Sequence, residues 1–538
     1  MDPTPGRGVP RRVRRRARTA AVTALALAGL ALAPAVASAD VCPTRVDPTD
    51  FTTEAQLKAL NQIEQDFGPR PTASPSQHQF VDWLEQQMGA IPGVQTSSLP
   101  YVTDRWDAGA GTLTVGGQQV RLAGPIPFTA STGSGGVTGP VVHLASGQSI
   151  TPANAAGKIV VRDLPITSLP NLLFYPPFFG FSMYDPDNST NLLGAFESEQ
   201  LAQSAVDAAA AKAAGAKALL MVSRLPQEQF AGSYAPYEGQ PLEIPGAYLS
   251  SDEGKQVKDA AAATPGVQAT LTQEASFTPS TTRTLLATLP GGSAKKVVVE
   301  SHTDGMNGEW DNGPIAMIAM ARYFASLPVS CRPETIQFAF VTGHLHQHLV
   351  SDDVRNGGAG QLAITLDQEY DQGKVKGVVV IEHLGARRYE AVDRPGHPGK
   401  QMQLVDQNEM YWLPVSESLK LRQLVVDEVQ RRDLRRTAVL KGLDVADLTR
   451  VPQICSFGGE GTPYNQHLLP TVAGVALPGG LFSPQFGLEA IDFDLMRRQS
   501  IAFTDIVSGM SRMSQADVAG DVTFMRQQRA GGAKTCAY

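Results

Sequence analysis

The chain predicts an α/β fold, a mostly parallel sheet flanked by helices, with a small, mainly-β segment inserted into it. Three observations carry this. Short apolar, β-branched runs at residues 297–299, 335–342 and 375–381 alternate with amphipathic stretches, the pattern of buried parallel strands joined by crossover helices. Between about Asp107 and Thr281 this gives way to short strand-like pieces among Gly, Ser and Thr, with one long Ala-rich helix. At 538 residues the chain also exceeds what a single core fills.

In order, residues 53–67 and 76–88 read as helices separated by Gly68-Pro69-Arg70-Pro71, a firm breaker. The middle segment holds strands near 111–115, 137–144, 157–162, 216–222 and 244–249, and helices at 200–214 and from Asp252. Strands at 284–289 and 297–301 resume the α/β pattern. Ala316, Ile318, Ala319, Tyr323 and Phe324 then share one face of a helix. Further strands follow at 335–342, 375–381 and 472–477, with helices at 417–431 and 493–513. Residues 169–184 stand apart, with six aromatics among three prolines. They read as a loop folded onto its own domain or the α/β core, with a flap over the site as the functional alternative.

Residues 1–39 read as a secretory leader: a basic stretch with Arg11 and Arg12, an apolar run at 20–33, and a small-residue cleavage site ending at Ala39. The arginine pair fits a twin-arginine signal. Removing seven arginines and one aspartate shifts the formal charge from −7 to −13. That acidity argues against nucleic acid or an anionic membrane as partner, and no apolar run is long enough for a membrane span. Oligomeric state is not legible. Cys42, Cys331, Cys455 and Cys536 all follow the cleavage site, so two disulfides are expected. Of three pairings, Cys42–Cys536 and Cys331–Cys455 are favoured. No G-x-S-x-G, Walker or dinucleotide motif occurs.

The chemistry gathers at strand ends. Residues 297–301 deliver His302 and Asp304, with Asp311 in the loop after them. Residues 335–342 deliver His344, His346 and His348, and residues 375–381 deliver Glu382 and His383. Imidazoles with one or two carboxylates are the ligand set of a catalytic zinc ion. His383 alternates with Glu382, which on a continuing strand turns it to the opposite face.

The blocks "VVVESHTDGMNGEWDNGPIAMIAMARYF", "ETIQFAFVTGH" and "GVVVIEHLGA", in this order, resemble the secreted zinc aminopeptidase family, which also contains glutaminyl cyclases. "GKIVV", "AAAAKAAGAKALLMVS" and "IPGAYLSSDEGKQV" resemble the protease-associated insert of such peptidases. The resemblance implies a zinc exopeptidase-like fold divided as 1–39 signal peptide, 40–107 N-terminal part of the catalytic domain, 108–280 protease-associated insert and 281–538 catalytic domain. It implies His302, Asp311 and Glu382 as metal ligands and Asp304 as the residue orienting His302. His344 and Leu345 stand where the family has paired glutamates, and Gly461 where it has a late histidine ligand. One zinc is therefore expected, and a second is not supported. His344 is then the general base or an extra ligand, while His346, His383, Glu460 and His467 are candidates for a further ligand.

The leading expectation is a secreted zinc-dependent hydrolase acting on a peptide or small amide. The alternative is a non-catalytic relative serving as an extracellular binding protein.

Overall fold

The computed structural model describes residues 42–348 and 357–536, so the expected leader lies outside the described residues. Six strands form the central sheet: β1 (Gln95–Ala108), β2 (Ala275–Leu289), β3 (Lys296–His302), β4 (Thr335–Val341), β5 (Val375–Ile381) and β6 (Thr471–Gly474). Their order is β1-β2-β4-β3-β5-β6. β3 to β6 run parallel, β2 is antiparallel to β4, and β1 is antiparallel to β2. Every residue of β4 and β5 is buried, as strands covered on both faces require.

Side chains along these strands alternate between two cores. Val297, Val299, Phe338 and Val379 face one core, which is closed by α1 (Glu54–Asp66), α2 (Pro75–Gly89), α3 (Gly313–Ser326), α5 (Leu419–Arg431) and α7 (Phe493–Arg512). Val298, Ala339, Val378 and Val380 face the other, under α4 (Gly357–Asp371) and α6 (Gly461–Gln466). α3 follows directly on the loop after β3. Its first residue must be glycine, because a Cβ on Gly313 would meet the carbonyl of Ile381 at 2.2 Å. That contact seats the start of α3 against the end of β5.

β1 and β2 pair along their length as a long ribbon, leaving the helical layer at Ala108 and returning at Ala275. Between these points the chain builds an eight-stranded mixed sheet. Ile159–Asp163, Ala218–Val222 and Gly246–Leu249 are its parallel centre, and helices Gln203–Ala213 and Ser251–Ala263 belong to the same segment. No helix among the described residues is long and apolar enough to cross a membrane.

One expectation needs correction. The disulfides are Cys42–Cys331 and Cys455–Cys536, not the favoured pairing. The first ties the N-terminal segment to the turn after α3, and the second ties the C-terminal strand to the loop before α6. Spacing along the chain carries no information on which thiols meet in space. Closing loops of 289 and 81 residues restricts the unfolded chain by on the order of 4–6 kcal/mol each on a loop-entropy model. The aromatic segment folds onto the α/β core, as expected, and the alternative of a flap does not hold. Gly180–Tyr184 pairs with Thr437–Leu440 in a three-stranded sheet, and Phe174 stacks on Trp412 with ring centroids 4.8 Å apart. Phe174 and Phe179 join a core of their own with Met410, Ala438 and Leu440, Phe181 and Tyr184 pack against the main core, and Phe178 stays exposed.

Candidate metal centre

β3, β4 and β5 end side by side, and their last residues open onto one buried space. His302 is fully buried at the end of β3. Its Nδ1 lies 2.9 Å from the backbone carbonyl of Asp304, so Nδ1–H donates and the Nε2 lone pair points away. Nε2 has no hydrogen-bond partner. Asp304 thus orients His302 through its main chain. Its carboxylate accepts instead from the Thr72 hydroxyl and, at 2.9 Å, from the Leu345 N–H.

Glu382 follows β5 directly and is 1% exposed. Its Oε1 accepts the Glu460 N–H at 2.9 Å, while Oε2 lies 3.8 Å from Nε2 of His302 and 4.0 Å from Nε2 of His383. Gly459 permits this wrap, since a Cβ there would sit 2.6 Å from Glu382 Oε1, and its φ of +112° favours glycine.

His383 does not turn to the opposite face. The strand stops at Ile381, and His383 adopts φ +54°, so the alternation rule no longer applies. Its Nδ1 sits 2.5 Å from the carbonyl of Ala476, and Nε2, without a partner, points toward Glu382. Nε2 of both histidines and a Glu382 oxygen lie within 4.8 Å of one another, and these three residues form the group of metal-ligating type among the described residues. The Asn312 side chain fixes the two halves: Nδ2 donates to the Leu384 carbonyl at 2.8 Å and Oδ1 accepts the Leu384 N–H at 2.9 Å.

Asp311 lies outside this group. Arg70 grips it with two hydrogen bonds, Nη2 to Oδ1 at 2.5 Å and Nε to Oδ2 at 3.1 Å, and both side chains are fully buried. Arg70 is held in turn by the carbonyls of Glu64 and Gly68 and lies over the ring of Phe80. Glu64 Oε1 is 3.6 Å from Arg70. In the breaker Gly68-Pro69-Arg70-Pro71 nothing marked Arg70 as part of the site. For His383 the available signal was Gly385, two residues on, which announces a turn.

His344 stacks on His302, ring centroids 4.1 Å apart, and hydrogen-bonds through Nδ1 to Glu460. Tyr237 stacks on its other side at 5.4 Å and Trp310 meets it edge-on at 6.0 Å. Tyr237 belongs to the inserted segment. Its carbonyl accepts from Gln347, and the nearby Tyr234 N–H donates to Phe482, so residues 234–237 take the place over the site that the flap alternative gave to the aromatic segment. His346 is directed elsewhere, to Thr103 and the carbonyl of Asp104, and His467 to Asp367.

Burial sets the protonation of the group. It pushes Glu382 up to about 8, with the nearby Glu460 adding to the shift, and pushes His383 down to about 3. It also holds His302 well below the usual imidazole value, helped by the neighbouring His344 and His383. Burial alone lowers His344 too, but the charge of Glu460 and the hydrogen bond to it more than reverse this, to about 9. Two neutral imidazoles with unused lone pairs and a carboxyl short of a counter-charge are what a divalent cation of zinc type requires. The residues present fit such an ion.

No protein-family model matches the sequence, and no curated protein matches it. Solved structures do match. The zinc aminopeptidase BSAP from Bacillus subtilis aligns over 90% of this chain and 100% of its own, with 15% identity and a TM-score of 0.56. This chain has the zinc aminopeptidase fold. A peptidase M28 precursor from Shewanella amazonensis SB2B covers 86% of this chain and 97% of its own, at 14% identity and a TM-score of 0.55. The aminopeptidase from Aneurinibacillus sp. strain AM-1 covers 86% and 95%, at 14% identity and a TM-score of 0.52. These alignments take in most of the chain.

Proposed function

We propose that the protein is a metal-dependent hydrolase of peptide or amide bonds, using one zinc ion held by His302, Glu382 and His383. The observation that carries this is the pair of buried, unpartnered Nε2 atoms converging on one carboxylate. Compared with the set expected from sequence, His383 replaces Asp311, whose carboxylate is taken by Arg70. When bound, zinc would polarise the scissile carbonyl and lower the pKa of a water.

The remaining chemistry belongs to the chain. His344 carries the proton: Glu460 holds Nδ1 and favours the imidazolium, so Nε2–H donates to the leaving amine, and the neutral form that accepts from water gains as pH rises toward about 9. Asp304 fixes the His302 tautomer through its carbonyl. Tyr237, Trp310 and Phe482 exclude bulk water and offer an apolar wall to the substrate. Residues 108–280 are proposed as a protease-associated insert, between 40–107 and 281–538 of the catalytic domain. Export with removal of residues 1–39 is proposed as well, and two disulfides accord with it.

Metal analysis of the mature chain, paired with hydrolysis of aminoacyl anilides and blocked peptides, tests this reading. One zinc per chain and turnover that His344→Ala abolishes while the metal stays bound are expected. Absence of stoichiometric zinc, with no rise in melting temperature on adding it, would leave the non-catalytic binding protein as the better reading.

A further inference from the structure

Away from the metal centre, a second cavity lies where the inserted segment meets the α/β half. Its volume is about 70 Å³, and it reaches solvent beside Glu197. One side is the strand Ala195–Glu199 and the helix Gln227–Phe230, and the other is Met402 and residues 477–483. Gln229 locks the two sides together by exchanging two hydrogen bonds of 2.7 Å with the main chain of Met402.

The lining combines opposite charges with an apolar wall. Phe196, Leu225, Phe230, Leu481 and Phe482 supply the wall. Glu199 supplies a carboxylate whose oxygens accept the Ser223 hydroxyl at 2.6 Å and the Arg224 N–H at 2.7 Å. An ionised carboxylate has about four acceptor positions, so about two stay open. Burial raises Glu199 to about 7, so its charged form lacks a full counter-charge. Arg224 supplies the cation. Its Nε is buried with no hydrogen-bond partner, and its side chain makes only a 3.5 Å contact to Glu197.

We propose that this cavity binds a small zwitterion, a free α-amino acid with a short apolar side chain, its ammonium on Glu199 and its carboxylate on Arg224. The volume, far below the ~300–1,000 Å³ of a drug-sized site, restricts the ligand to this size. Phe482 is shared: it walls the cavity and packs edge-on against Trp310 beside the metal centre, ring centroids 5.3 Å apart. The site stands on its own lining and does not require the hydrolase reading.

Calorimetric titration of the mature protein with L-alanine and L-valine tests it. Saturable binding is expected. L-Valinamide and N-acetyl-L-valine, each lacking one charge, should bind about tenfold or more weakly, the size of a lost charge-assisted hydrogen bond. Glu199→Gln and Arg224→Gln should each weaken L-valine as much, and His302→Ala should leave it unchanged. Should Glu199→Gln not fold, Arg224→Gln, at a partly exposed position, decides alone. Three results overturn the site: no binding of either amino acid, equal binding of the blocked analogues, or loss of binding in His302→Ala with normal binding in Arg224→Gln.

Discussion

Two buried charge clusters lie along the same edge of the central sheet and have opposite outcomes. Around Asp311, a carboxylate arriving from the loop after β3 meets the guanidinium of Arg70 and is satisfied through both oxygens. Around Glu382, a carboxylate arriving from β5 accepts the Glu460 N–H through one oxygen and turns the other toward two imidazoles whose facing nitrogens have no partner. In the first cluster Asp311 finds its counter-charge within the chain, with Glu64 buried beside the same guanidinium, whereas in the second the counter-charge is the metal ion proposed above. A buried acid needs a counter-charge, and it is the source of that charge that separates a structural group from a binding one.

The largest effect should come from breaking the first cluster. Arg70→Met leaves Asp311 buried and unpaired, and removing one partner of such a pair costs about 3–5 kcal/mol. Urea unfolding of the metal-free protein should show that loss. A variant as stable as the parent would mean that Asp311 finds its counter-charge elsewhere.

His383→Ala should do the reverse. The metal-free protein should lose only about 1–3 kcal/mol, since the change removes the unpartnered Nε2 together with one hydrogen bond, from Nδ1 to the Ala476 carbonyl, and some packing. Zinc affinity should fall beyond detection by chelator competition. Tight zinc in that variant would remove His383 from the ligand set.

The pH dependence of metal-free stability sharpens the contrast. Glu382 and His344 have folded pKa values raised to about 8 and about 9, so the folded state holds more protons than the unfolded one up to those values. Their contribution is present at low pH and is lost as pH rises through about 8 to 9. His383, depressed to about 3, acts oppositely, but only below its ordinary value of 6.5. Metal-free protein should therefore lose stability from about pH 6.5 to 9, by up to about 1.4 kcal/mol per pH unit for each group. Zinc-loaded protein should lose less, because the ion holds Glu382 ionised throughout and leaves His344 as the group of the two that still titrates. Parallel melting curves with and without zinc would count against Glu382 as a ligand.

A smaller effect on zinc binding than that of His383→Ala should follow Asn312→Ala, which removes the two hydrogen bonds to Leu384. A loss of about 1–3 kcal/mol in stability is expected, with weaker zinc binding as the loop after β3 and the end of β5 lose their tie. Unchanged zinc affinity would show that the ends of β3 and β5 keep their register without Asn312.

Much of the fold was legible because it rests on local pattern. Three β-branched residues before His302 and a periodic apolar face after Pro314 specify a strand and a helix wherever they occur. The site was legible only where strand ends could be read directly, as at His302 and Glu382. His383 was assigned to the wrong face because alternation was extended one residue past the strand, and a positive φ leaves little trace in sequence. Arg70 comes from the segment between α1 and α2, 241 residues before the acid it grips, and no local rule reaches that far. The disulfide pairing and the docking of the aromatic segment on Thr437–Leu440 were hidden for the same reason.

Zinc content measured in parallel on the parent, His383→Ala and Asp311→Asn tests the central claim most directly. One ion, none and one ion per chain is the predicted result. One ion retained in His383→Ala and lost in Asp311→Asn would contradict it.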